Sequence, residues 1–161
     1  MDTSSAEAGL RRRIVAIATL ITAAAVLHHV DHVIRGDIVV AHNLDPELNH
    51  SGWPFQDQVT PFTASLAVYL LLIGGIVFTL RGRLLAGYWL ATTVLLAAII
   101  LLVHFVPGPA TETLGVIYRT HNRGGNPVAG AFAVLDVAVI IAGLVALGTQ
   151  AIRARQISRP S

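Results

Sequence analysis

The sequence predicts an all-α integral membrane protein, a four-helix transmembrane bundle with both termini in the cytoplasm. Three observations predict it. Of 161 residues, 54% are hydrophobic and 12% charged, and the mean hydropathy is +0.67, the composition of a membrane protein. Four apolar stretches, at about residues 14–34, 60–80, 84–106 and 127–150, each approach the roughly 20 residues needed to cross a hydrocarbon core. Arginine is also distributed unevenly: Arg11, Arg12, Arg13, Arg81, Arg83, Arg153, Arg155 and Arg159 fall on one side, and Arg35, Arg119 and Arg123 on the other. The positive-inside rule then places residues 1–13 and 151–161 as cytoplasmic tails around one membrane domain, residues 14–150, with the bacterial cytoplasmic membrane as the expected location.

Each span has its own signals. The first follows a small polar tail and three arginines, and runs from Ile14 to Ile34. The same pattern can be read as a signal peptide, with Ala23-Ala24-Ala25 at the cleavage position. The second opens with Thr60-Pro61, an N-cap followed by proline at the first helical position. Only Arg81-Gly82-Arg83 separates it from the third, so these two are antiparallel neighbours. The third stops at Pro107-Gly108-Pro109. The fourth starts at Asn126-Pro127 and carries Ala138, Ala142 and Ala146 at helix-packing intervals. Tyr88 and Trp89 are expected in the inner interfacial belt, and Trp53 and Phe55 in the outer one.

Composition also removes function classes. The chain has no cysteine, so thiolate ligands, thiol nucleophiles and iron–sulfur clusters are excluded and any metal must be held by N and O ligands. All basic residues are arginine and flank helices; no nucleic-acid motif is present. There is no serine–histidine hydrolase motif, no phosphate-binding glycine loop and no HExxH, because the residue after His28 is not glutamate.

The chemistry concentrates in Leu27-His28-His29-Val30-Asp31-His32-Val33-Ile34-Arg35. Ionisable residues at membrane depth are costly and mark functional sites by default. At about 100° per residue, His28, Asp31, His32 and Arg35 share one stripe, continued inward by Ala25, Ala24, Ile21 and Ala18, while His29 stands on its flank. All seven histidines map to the outer side, including His104 at the end of the third span and His121 before the fourth. His28 lies roughly 10 Å below the outer end of its span, and Asp136 roughly 13 Å below that of the fourth, so the two can meet. The long connections at 36–59 and 107–126 can cover such a site, with Asp57 and His121 as supporting groups. His42, His50, Glu112 and Arg119 are expected to be solvated loop residues.

Several readings stay open. His28 and His32, four residues apart, can chelate one divalent metal ion (iron, zinc or copper) with Asp31 or His104, in a membrane enzyme acting on a lipophilic molecule. A b-type haem exchanging electrons with quinone would need His104 with either His28 or His32, since two histidines on one helix cannot take opposite haem faces. A cofactor-free proton relay or accessory subunit is the third reading. The plainest is a polar helix end, with Asp31 paired to Arg35 at the headgroups. Histidine richness resembles the boxes of membrane di-iron desaturases in composition only, since those carry more histidines in several boxes and normally on the cytoplasmic side.

The topology makes a direct prediction. A cysteine replacing Ser51 or Thr113 should react with an impermeant thiol reagent added outside intact cells, whereas one replacing Ser4 or Ser158 should react only after lysis. The reverse pattern would invert the orientation.

Overall fold

The computed structural model describes residues 3–45, 48, 63, 65–106 and 112–157, which are mostly helical and contain no strand. Among the described residues five helices follow one another: α1 (Thr3–Ala41), α2 (Val68–Leu80), α3 (Ala86–Phe105), α4 (Leu114–Arg123) and α5 (Pro127–Ile157). Three of them, α1, α3 and α5, are long and apolar enough to cross a membrane; α2 is apolar but has only 13 residues. The expected Thr60-Pro61 start of the second span lies outside the described residues, as do Trp53, Phe55, Asp57, His50 and Pro107-Gly108-Pro109.

Helix α1 is 39 residues long, well beyond the expected 14–34. Nothing in this stretch breaks a helix except two glycines, and the first proline comes at Pro46. Its N-terminal turns are docked, with Leu10 and Ile14 in the core and Arg11 donating to the Gly82 carbonyl at 3.2 Å. Helix α4 lies inside the connection read from sequence as a loop. Thr113 caps it by accepting from the Val116 N–H, and Val116, Ile117, Thr120 and His121 form its buried stripe. Ten residues bracketed by glycine and proline are too few for periodicity to stand out.

Three helices end alike. After α1, α2 and α4, a residue with positive φ (Asn43, Gly82 and Gly125) follows the last turn. The next amide reaches back five residues: Leu44 to Val39, Arg83 to Phe78 and Asn126 to His121. This six-to-one bond satisfies a carbonyl left open by the helix end, and it needs a residue at ease in the left-handed region.

Helix α5 is the hub, packing against α1, α3 and α4, while α2 bridges α1 and α3. The core joins Ile14, Ala18, Ile21 and Ala24 of α1 to Leu72, Trp89, Leu96, Ile140, Leu144 and Leu147. The face that α5 buries differs from the one expected: Ala138 and Ala142 point outward, and Gly130, Gly143 and Gly148 face in. Glycine permits closer approach than alanine, and a Cβ at Gly143 would stand 2.7 Å from Ile21 Cγ1. Trp89 is likewise not a belt residue. It is fully buried against Gly75, and its indole N–H donates to Thr79 Oγ1 at 2.9 Å. Large apolar side chains such as Leu27, Leu70, Leu102, Phe132 and Val145 cover the outside instead, a surface suited to lipid.

Gly75 tests this packing. A methyl group there would lie 2.6 Å from the Trp89 ring, so Gly75→Ala should destabilise by about 1–3 kcal/mol, the usual range for overpacking. Gly87→Ala, with open space around its Cβ, should be neutral or stabilising. Thermal unfolding in detergent, followed by tryptophan fluorescence, makes the comparison.

Candidate functional site

The polar residues of α1 meet those of α3, α4 and α5 near the ends of α1 and α3, and the centre of the meeting is Arg35. Its side chain is 0% exposed, and so is that of Glu112. Arg35 Nε donates to Asp31 Oδ2 at 2.7 Å, and Arg35 Nη2 lies 2.7 Å from Glu112 Oε2. The other oxygen of Asp31 accepts from His121 Nε2 at 2.7 Å. His32 Nδ1 stands 3.2 Å from Glu112 Oε2, and His104 Nδ1 donates to the Glu112 backbone carbonyl at 2.6 Å. One arginine, two carboxylates and three imidazoles therefore form a continuous network. Burial alone would raise the Glu112 carboxyl, but the hydrogen bond with His32 and the Arg35 charge outweigh it and hold the group well below the ordinary carboxylate range.

Glu112, expected among the solvated loop residues, is instead fully buried. The backbone places it: its N–H donates to the Val103 carbonyl at 3.0 Å, which holds residue 112 against the last turn of α3 with its side chain buried. A signal was present, because an arginine bordering an apolar span needs an anionic partner and Glu112 is the one acid in the sequence between 107 and 126. Asp31 and Arg35 pair as the plainest reading had it, but inside the protein rather than at its surface. His42, just past the end of α1, and Arg119, on α4 rather than in a loop, are exposed.

His28 lies deeper on the same stripe. Its ring is edge-on to His32 and to His104, with centroids 4.8 and 5.2 Å away, and its Nδ1 is 3.9 Å from Asp136 Oδ2. His29 turns aside to α2: Nδ1 contacts the Ala25 carbonyl at 2.8 Å and Tyr69 Oη at 2.9 Å, and Nε2 contacts Ser65 Oγ at 2.8 Å. Neither Ser65 nor Tyr69 stood out in the sequence, because nothing local links them to a histidine 36 or 40 positions away.

Beneath these rings is a cavity of about 90 Å³ between α1, α2, α3 and α5. Ile21, Leu72, Leu96, Ile100, Ile140 and Leu144 wall it, and His28, His29, His32, His104 and Ser65 form its polar end. Among the described residues, no three His, Cys, Asp or Glu side chains are placed to share a metal ion. Both oxygens of Asp31 are already engaged, by Arg35 and His121. No protein-family model, curated protein or solved structure matches this chain.

The Arg35 network predicts non-additive mutants. Glu112→Ala leaves a buried guanidinium short of one carboxylate and should cost about 3–5 kcal/mol, as breaking a buried pair typically does. The apolar double variant Arg35→Met/Glu112→Leu should recover much of that loss. Glu7→Ala, which removes an exposed pair on α1, should change stability by less than about 1 kcal/mol. Chemical denaturation of the three variants in one detergent compares them.

Proposed function

We propose that this chain is a small integral membrane enzyme that admits a lipophilic molecule to the cavity between α1, α2, α3 and α5 and acts on its polar group with the histidines at the cavity end. The observation that carries the reading is the cavity itself, whose walls are aliphatic and whose polar groups gather at one end. An apolar pocket with a few convergent polar groups is the usual form of a small-molecule site. The proposed setting is a bundle of four membrane helices, α2 included, with both termini on the arginine-rich cytoplasmic side.

Size narrows the ligand. A space of about 90 Å³ equals roughly three water volumes, which suits a narrow alkyl segment. That ranks an aliphatic lipid ahead of a quinone ring, and both ahead of a haem macrocycle on His104 with His28 or His32. Drug-sized ligands occupy pockets of roughly 300–1,000 Å³.

A divalent metal on His28, His32 and His104 is the second reading, favoured by one observation. His104 Nδ1 is held by the Glu112 carbonyl and His32 Nδ1 faces the Glu112 carboxylate, the outer-shell pattern that orients ligating imidazoles and leaves Nε2 toward a metal. The rings would have to turn toward one point to bind it. Such a metal would supply a Lewis acid or an activated water.

Two measurements decide between these readings. 1-Butanol, used as a short alkyl probe that matches the cavity, should raise the thermal midpoint of the purified protein, and Ile100→Trp, which fills the cavity, should abolish the effect; no shift in the native chain would overturn the lipophilic-pocket reading. Elemental analysis and optical spectroscopy of the same preparation test the cofactors. If a metal is bound, His28→Ala or His32→Ala should each remove most of it and the double change little more, while His29→Ala should retain it.

A further inference from the structure

We propose that Ser65 is a nucleophile for acyl transfer, with His29 as its general base. This inference rests on the lipophilic-pocket reading and names the substrate class, an ester whose acyl part is a short aliphatic chain.

The geometry begins with the Ala25 carbonyl. A carbonyl can only accept, so its 2.8 Å contact with His29 Nδ1 requires the ring proton on Nδ1. The Tyr69 oxygen, 2.9 Å from the same nitrogen, shares that N–H. A neutral imidazole with its proton on Nδ1 carries its lone pair on Nε2, and this atom lies 2.8 Å from Ser65 Oγ. The hydroxyl is thus within reach of a base whose tautomer and orientation are held by a third group, the arrangement that activates a serine. Here a backbone carbonyl takes the part a carboxylate plays in the familiar triad.

The surroundings favour chemistry over a plain tie between helices. Ser65 and His29 both line the cavity, so the pair faces space where a substrate can sit. Ser65 comes just before α2, in a segment turned by the Leu66 N–H bonding to the Thr63 carbonyl, while His29 is anchored in the middle of α1. The rings of His28 and His32 each stand 6.3 Å from that of His29, so the carbonyl oxygen of a bound ester would develop its charge at the polar end of the cavity.

The reaction balances without an added oxidant or reductant. Ser65 Oγ bonds to the ester carbonyl carbon as its proton passes to His29 Nε2, and the carbonyl π pair moves to oxygen. The tetrahedral adduct collapses, the carbon–alkoxy bond breaks, and His29 returns the proton to the leaving alcohol. Water then attacks the acyl-serine, giving its proton to His29; the Ser65–acyl bond breaks, the carboxylic acid leaves, and the proton returns to Ser65.

A short-chain alkyl fluorophosphonate, which needs an activated serine, tests the proposal on the full chain in detergent. Peptide mass spectrometry should find the adduct on Ser65, with none in Ser65→Ala. His29→Gln should slow labelling by about 100-fold or more, the least that a general base contributes, whereas Tyr69→Phe should leave most of the rate. p-Nitrophenyl butyrate should be hydrolysed in preference to the palmitate ester. Tryptophan fluorescence checks that each variant is folded, and Ser65→Cys, still carrying a nucleophile, should be alkylated by iodoacetamide faster than a cysteine at Ser5 on the exposed end of α1. If 1-butanol still stabilises the native chain while Ser65 stays unlabelled, the dyad is overturned and the pocket reading stands. If 1-butanol has no effect but Ser65 is labelled, the pocket reading and the short-acyl substrate class fail and the dyad is retained.

Discussion

Arg35 sets the terms for the whole polar end of this protein. A guanidinium that cannot lose its proton and has no exposure to water must be surrounded by anionic oxygen. Asp31 supplies one oxygen from the same helix, and Glu112 a second from the segment after α3. Neither carboxylate is spent on Arg35 alone, because Asp31 also receives His121 from α4 and Glu112 faces His32. Three separate parts of the chain, α1, the segment after α3 and α4, are thereby brought to one charge, and α4 is held over the site through both a buried stripe and the His121–Asp31 hydrogen bond.

Below this network the environment changes within one helical turn. His28 and His104 stand between the charged layer and the aliphatic walls of the cavity, so a molecule entering from the lipid would meet imidazole before it met any fixed charge. Imidazole is suited to such a boundary because its neutral form both donates and accepts and is less costly to bury than an ion. Asp136 approaches His28 from α5 without reaching hydrogen-bond distance.

The close approach of α1 and α5 depends on absent side chains as much as on present ones. Gly143 admits Ile21, and Gly130 lies against His121 and Tyr118 of α4. In a membrane, where helices gain little from hiding apolar surface from one another, such contact and a few internal hydrogen bonds are what remain to hold a bundle. Those hydrogen bonds are present here: Trp89 to Thr79, Tyr88 to the Leu71 carbonyl, and His29 with Ser65.

Local rules carried the sequence reading a definite distance. Helical class, the long apolar segments and the shared face of His28, Asp31, His32 and Arg35 all follow from composition and a rotation of about 100° per residue, which do not depend on what lies opposite. The turns at Gly82 and Asn126-Pro127 were legible for the same reason, since each is closed by its own neighbours. What lies across a gap was decided only by tertiary structure. Whether Glu112 is solvated or buried, whether His29 is an idle flank or the partner of Ser65, and which face α5 turns inward each depend on how far one helix is rotated and slid against another. Those two quantities come from the interlocking of particular side chains, Ile21 with Gly143 and Trp89 with Gly75, and no periodicity within a single helix contains them.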